Sequence, residues 1–246
     1  MLKLYNLIIH IFFIAIKIHS LANTKSREWV NGRKNIFSSL KKQISLEKIV
    51  WFHCASLGEY EQAKELIKKF KNNFSNYKIL LTFFSSSGYK NVKKNKNIDW
   101  IFYLPIDTKS NAKKFINIVN PKIVFFLKSE FWYNYMNTLN QKKIPLFHVS
   151  SNFRRNDFSI NSSFSKKILA KSTHFFVQNQ ISKDLLKNIK IDNVTVTKDS
   201  RFDSIIANIK LDKRLEDIQK FCLIKPTIIF ASIWPEDEHI YMNCVK

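Results

Sequence analysis

"WFHCASLGEYEQAKELI", Trp51 to Ile67, changes its periodicity in mid-course. Its opening, with Ile49 and Val50 before it, is a continuous apolar run. That is the pattern of a strand buried on both faces. From Tyr60 the apolar positions recur at helical spacing: Tyr60, Ala63, Ile67 and Phe70. A strand that runs through a short break at Gly58 into a helix opens a βαβ unit. Glu59 then stands at the mouth of whatever sheet that strand joins.

The same alternation continues along the chain. "YKILLTFF", "IDWIFYLP", "KIVFFLK", "PLFHVS", "THFFVQN", "NVTVT" and "TIIFAS" read as further strands. "SSSG" (Ser85 to Gly88) reads as a turn. "TKSNAKKFINIVN" reads as a helix that stops before Pro121, and "EFWYNYMNTLNQKK" as another that opens at Glu130. Apolar strands separated by helices predict an α/β fold, a parallel sheet with helices on both faces and right-handed crossovers. Ligands of such sheets bind beyond the carboxyl ends of the strands. The segments to weigh are therefore "SLGE", "SSSG", "PID", "KSE", "SSNFR", "QNQ", "KDSRFD" and "SIWPEDE". No GxGxxG and no GxxxxGK[ST] occurs, so no dinucleotide or P-loop site has local support.

Three of these segments offer reactive groups. Ser56-x-x-Glu59 has the spacing of a capping box, in which Ser56 accepts the Glu59 N–H and Glu59 reaches back to the Ser56 N–H. The competing reading makes Glu59 a general base for an acceptor hydroxyl. Glu130 repeats the arrangement after "KIVFFLK", where its charge suits the positive end of a helix. Arg201 follows "NVTVT" and either binds a phosphate or developing negative charge, or pairs with Asp199 or Asp203.

Composition narrows the partners. The 246 residues carry a net charge of +22, which suggests a polyanionic partner such as nucleic acid, anionic lipid or a phosphorylated substrate. A general enrichment in Lys, Asn, Ile and Phe explains the same charge without any binding face. Nucleic acid is disfavoured because the aromatic residues fall inside the strands and not among exposed Lys and Arg. Three distant cysteines, Cys54, Cys222 and Cys244, show no metal-ligand spacing and suit a reducing compartment. "LYNLIIHIFFIAIKIHSLA" (Leu4 to Ala22) is long enough for a membrane anchor, with a cleaved signal peptide as the rival. The basic residues after it, Lys25, Arg27, Arg33, Lys34, Lys41 and Lys42, place the rest of the chain on the cytoplasmic side and suit anionic lipid.

Taken in order, "FHCASLGEYEQ", "LLTFFSSSGY", "YLPIDT", "FLKSEFWYNYM", "IPLFHVSSNFR", "HFFVQN", "VTVTKDSRFD" and "ASIWPEDE" resemble the bacterial 3-deoxy-D-manno-octulosonic acid (Kdo) transferases of lipid A assembly. "NGRKN" (Asn31 to Asn35) is a weaker echo. The resemblance implies a GT-B glycosyltransferase. Residues 1–22 would be a membrane anchor, 23–210 a Rossmann-like acceptor-binding domain, and 211–246 the start of a second Rossmann-like, donor-binding domain. The CMP-binding portion would lie beyond Lys246. The implied donor is CMP-Kdo and the implied acceptor a lipid A precursor (lipid IVA), at the cytoplasmic face of the inner membrane, with no cofactor or metal. By motif, Glu59 matches the proton acceptor, and Glu130 and Arg201 match transition-state stabilisers. Three segments depart from the family pattern. Lys198 stands where Gly is usual, "ASIW" replaces "GSTW", and Ser129 replaces a common Tyr. A non-catalytic relative that binds lipid or acts as a scaffold is the alternative.

Overall fold

The computed structural model describes residues 1–45, 47–92, 96–157, 160, 162–209, 216–224 and 226–244. They form two compact units, Met1–Ala207 and Asn208–Lys246.

The first unit opens with three helices, α1 (Leu2–His19), α2 (Thr24–Asn31) and α3 (Ile36–Gln43). A seven-stranded parallel sheet follows: β1 (Ile49–Cys54), β2 (Lys78–Phe83), β3 (Trp100–Tyr103), β4 (Ile123–Leu127), β5 (Leu146–Ser151), β6 (His174–Val177) and β7 (Val194–Val196). The intervening helices are α4 (Leu57–Asn73), α5 (Ser86–Asn91), α6 (Lys109–Val119), α7 (Tyr133–Gln141), α8 (Ser163–Leu169) and α9 (Gln180–Asn188), and α10 (Arg201–Ile209) comes after β7. The strand order is β3-β2-β1-β4-β5-β6-β7. The chain winds outward from β1 in one direction, returns, and winds outward in the other.

All six residues of β1 are buried, as a mainly apolar run, with His53 its one polar member, requires. Its alternate side chains enter two cores. Val50, Phe52 and Cys54 meet Tyr60, Ala63, Ile67 and Phe70 of α4. Trp51 faces the other way, against Leu40, Phe115, Ile116, Tyr135 and Leu139 of α3, α6 and α7. A third core, with Phe153, Leu169, Phe175 and Leu186, closes the β6 end. The expected doubly wound α/β sheet is therefore the fold.

Local differences from expectation have local causes. "SSSG" folds as the short helix α5, started by Ser85 Oγ, which accepts the Gly88 N–H at 3.3 Å. Gly58 does not interrupt α4 but lies in its first turn. Helix α6 ends at Asn120, whose φ of 43° closes it before Pro121. Helix α7 begins at Tyr133, three residues later than expected. Its free N–H groups at Asn134 and Tyr135 donate to the two oxygens of Asp107, each at 3.0 Å. Asp107, from the loop after β3, is thus the carboxylate at the α7 N-terminus, and Glu130 lies in the loop before it.

The basic stretch after α1 is partly committed to structure. The Arg33 guanidinium donates to the carbonyls of Phe84 (2.7 Å), Leu104 (2.9 Å) and Trp29 (3.0 Å) and stacks 3.6 Å from the Trp29 ring. Burial lowers its pKa to about 9, so it stays charged at neutral pH. Arg33 therefore ties the loops after β2 and β3 together and is not free for lipid phosphates.

The second unit holds α11 (Glu216–Ile224) and α12 (Pro235–Cys244). Thr227–Ser232, expected as a strand, is irregular, with Ile228 and Ile229 exposed. A lone strand has no ladder to join, and the described residues of this unit include no other strand.

Replacing Arg33 leaves three carbonyl groups without their donor. Arg33→Ala is expected to destabilise the chain by about 2–4 kcal/mol, and Arg33→Lys to recover only part of this, since an ammonium cannot fork to three acceptors. The urea unfolding midpoint measures both.

Candidate active site

The chain reverses its winding direction between β1 and β4, and at such a point the two loops diverge and leave a crevice. Glu59 follows β1 and Glu130 follows β4. They line a cavity of about 470 Å³ together with Lys128, Ser129 and Arg201. Asn152, Arg154 and Gln178 form its far wall. The three residues singled out from sequence are 71 and 142 positions from first to second and first to third (130 − 59 and 201 − 59), yet they share one hollow.

Glu59 is buried in the first turn of α4, and its Oε2 accepts the Ala55 N–H. The Ser56 side chain makes no capping bond, so the capping box is not formed as its spacing suggested. Burial raises the Glu59 pKa, while the N–H groups of Ala55 and Ser56 and the charge of Lys128 restrain the rise. A carboxylate held in this way is a better proton acceptor than one in water.

Glu130 is pushed up to about 8, first by burial and then by the negative charge of Glu59. At neutral pH it carries its proton and can donate a hydrogen bond. Its Oε2 lies 3.9 Å from Nε2 of His53, which is fully buried. Burial holds the His53 pKa near 3, so this contact is not an ion pair. The Trp132 indole N–H reaches His53 Nε2 at 3.3 Å. An indole can only donate, so Nε2 accepts and Nδ1 carries the proton toward Thr82 Oγ1 at 2.9 Å. Thr82 Oγ1 also accepts from Trp51 Nε1 at 2.7 Å. The core of β1 and β2 thereby orients the floor beneath Glu130.

Arg201 is the first residue of α10. Its Nε and Nη2 lie 2.8 and 2.6 Å from Asp199 Oδ2, and its backbone N–H donates to Oδ1 at 2.9 Å. Of the two acids weighed as partners, Asp199 is the one it holds. Burial alone would raise the Asp199 pKa; the bonds and charge of Arg201 bring it below its usual value. The Arg201 side chain remains 64% exposed, so it can still meet an anion.

Three non-glycine residues near the strand ends have positive φ: Lys128 (58°) and Ser150 (58°), which line this cavity, and Lys198 (66°), which lines a neighbouring one that shares Ser150. Such backbone is costly for a residue with a Cβ and clusters at functional loops. Lys198 occupies the position where the resembling family has Gly, and its φ supplies the reason for a Gly there. Ser150 Oγ accepts from Gln178 Nε2 (3.1 Å) and from the Ser200 N–H (3.4 Å). Ser151 Oγ donates to the Lys128 carbonyl at 2.8 Å. These bonds fasten the loops after β4, β6 and β7 to the end of β5.

Sequence reasoning missed Lys128, Arg154 and Gln178 as individual residues. Each lies in a strand-end segment, which was the available signal, but which of its side chains turns inward depends on the loop backbone. Asp107 also lies in such a segment, "PID", whereas His53 and Trp132 gave no individual signal, being a single polar and a single aromatic residue among apolar or aromatic neighbours.

Comparison with known proteins bears on the family and the fold. Residues 29–204 match the family model of the 3-deoxy-D-manno-octulosonic-acid transferase (kdotransferase) N-terminal domain. The chain belongs to the Kdo transferase family. Among curated Kdo transferases, that of Rickettsia bellii is 28% identical over all of this chain and 60% of its own length. That of Haemophilus influenzae is 32% identical over 39% of this chain and 23% of its own length. A bifunctional glycosyltransferase/methyltransferase of Fusobacterium nucleatum is 29% identical over 69% of this chain and 28% of its own. The chain thus spans less than two thirds of the length of these relatives. Solved UDP-N-acetylglucosamine 2-epimerases share the fold alone. The Rickettsia bellii structure has a TM-score of 0.51 at 13% identity, covering 70% of this chain and 51% of that one. The Neisseria meningitidis structure has a TM-score of 0.50 at 14% identity, covering 75% and 55%.

The raised pKa of Glu130 yields a test with a definite sign. Its carboxyl resonance is expected to titrate near 8 and to move to lower pH in Glu59→Gln, which removes the neighbouring negative charge. The folded chain binds the Glu130 proton more tightly than the unfolded chain. Stability therefore falls as pH rises from about 4.5 toward 8. Glu130→Gln should flatten that slope in urea unfolding.

Proposed function

We propose that this chain forms the acceptor side of a Kdo transferase, moving Kdo from CMP-Kdo to a lipid A precursor (lipid IVA) at the cytoplasmic face of the inner membrane. In this reading residues 1–22 anchor the protein, 23–210 bind the acceptor, and 211–246 begin the donor-binding domain. The observation that carries the reading is the single cavity lined by Glu59, Glu130 and Arg201 at the sheet's switch point.

The roles follow from the electrostatics. Glu59 accepts the proton of an acceptor hydroxyl as its oxygen attacks the anomeric carbon of Kdo. The bond from that carbon to the CMP phosphate oxygen breaks on the opposite face, with inversion, and CMP leaves with the electron pair. Negative charge grows on the leaving phosphate and persists on the Kdo carboxylate. Arg201 and Lys128 supply fixed positive charge to meet it. Protonated Glu130 adds a hydrogen bond without repelling the anions. Each proton and charge in this step is handled by a side chain, and none is assigned to a metal or cofactor.

Glu59→Gln preserves size and hydrogen-bonding capacity but removes the base. With the donor-binding domain supplied, transfer of labelled Kdo from CMP-Kdo to lipid IVA is expected to fall by about 10²–10⁴-fold, with thermal unfolding of this chain little changed. Undiminished transfer would reduce Glu59 to a helix-terminal residue. Saturable lipid IVA binding with no Kdo transfer, even when the donor-binding domain is supplied, would instead support the lipid-holding scaffold.

A further inference from the structure

We propose that α1 is an in-plane anchor, lying along the surface of an anionic phospholipid bilayer with one face on the domain and the other in lipid. The inference rests on the membrane reading above and adds the orientation of the helix. By length and hydropathy, the 18 residues of α1 would equally suit a span. Its contacts decide otherwise.

The helix is held along its length. Near its start, the Tyr5 hydroxyl donates to Asp107 Oδ2 at 2.5 Å, and Asn134 Nδ2 donates to Asn6 Oδ1 at 2.9 Å. The Tyr5 ring packs 5.8 Å from Tyr133 and 5.9 Å from Phe164. Midway, Phe12 lies 6.2 Å from Trp29 and 6.3 Å from Phe84. Past its end, Arg27 donates to the carbonyls of Ser20 (3.2 Å) and Leu21 (2.8 Å) and folds the chain back. A helix of this length is roughly 27 Å long. If it spanned, Tyr5 and Asn6 would stand across about 30 Å of hydrocarbon from Asp107 and Asn134, which are buried in the first unit.

The opposite face is apolar and, among the described residues, unpartnered. Leu4, Leu7, Ile8, Ile11, Ile14 and Ile18 follow helical spacing, and each is more than half exposed. A ridge of this kind marks a membrane or protein contact. Charge selects the bilayer: α1 has no acidic residue, Lys3 and Lys17 lie on it, and exposed Lys25 and Lys34 follow. Apolar residues edged by lysines suit the interface of an anionic bilayer. The seat of α1 also adjoins the candidate site. Phe84 bridges Phe12 to Trp132, stacking on the latter at 4.9 Å, and Trp132 bonds to His53 beneath Glu130.

Side-specific labelling tests the orientation. Lys3→Cys and Lys25→Cys are made singly in a chain also carrying Cys222→Ser and Cys244→Ser. Each is treated with a membrane-impermeant maleimide in inverted inner-membrane vesicles and in intact spheroplasts. In-plane seating makes both positions react in inverted vesicles and neither in spheroplasts. Reaction of position 3 only in spheroplasts, with position 25 only in inverted vesicles, overturns the in-plane geometry while leaving membrane attachment standing. Flotation with phosphatidylethanolamine–phosphatidylglycerol vesicles tests attachment itself. The chain should float, and Leu7→Glu with Ile11→Glu should cut flotation at least tenfold at unchanged far-ultraviolet circular dichroism. Flotation of the double variant at the unsubstituted level overturns the lipid-facing ridge. Failure of the unsubstituted chain to float overturns the membrane reading on which the inference stands.

Discussion

The parallel pairing of β1 with β2 on one side and β4 on the other governs the rest of the molecule. A parallel strand cannot reach its partner by a hairpin, so each connection crosses a face of the sheet and returns to the same end. All the strand-end loops therefore gather at one rim. Because the winding direction reverses between β1 and β4, the loops that carry Glu59 and Glu130 part there and leave room for a reactant. The buried β1, anchored by aromatic packing on both faces, makes this rim rigid.

The cavity then combines opposed electrostatic demands. Two carboxyl groups share its β1–β4 side, and burial together with mutual repulsion keeps one of them protonated at neutral pH. Lys128 lowers the cost of charge on Glu59, and Arg201 is pre-aimed by Asp199. Such an arrangement lets one acid accept a proton while its neighbour donates a hydrogen bond, a division that environment creates between chemically alike groups. The left-handed backbone at Lys128, Ser150 and Lys198 belongs to the same design. Hydrogen bonds to the Ser150 hydroxyl and from the Ser151 hydroxyl join the four strand ends on which these residues stand.

Asp107 links this rim to the amino-terminal helix. Its oxygens cap α7 and accept the Tyr5 hydroxyl, so one buried carboxylate seats both helices. Burial raises its pKa to about 6 in spite of those bonds. The aromatic line from Phe12 through Phe84 and Trp132 to His53 makes the seat of α1 part of the same wall.

Much of this was legible in the chain itself. Apolar runs such as Ile49–Phe52 are read directly as buried strands, because a strand covered on both faces has no polar side to show. The helix from Tyr60 to Phe70 declares itself by its 3.6-residue spacing, and the strand-end positions of Glu59, Glu130 and Arg201 follow from those two patterns. Strand order was not legible, since it is set by which edges pair and not by any one segment. The convergence of the three residues therefore belonged to the tertiary structure. So did the late start of α7, decided when Asp107 from a distant loop supplied its cap. Hydropathy marked α1 as membrane-seeking, but a linear pattern does not carry orientation. How α1 seats on the domain was decided by Tyr5 and Asn6, whose partners lie more than a hundred residues away and become neighbours only when the sheet closes.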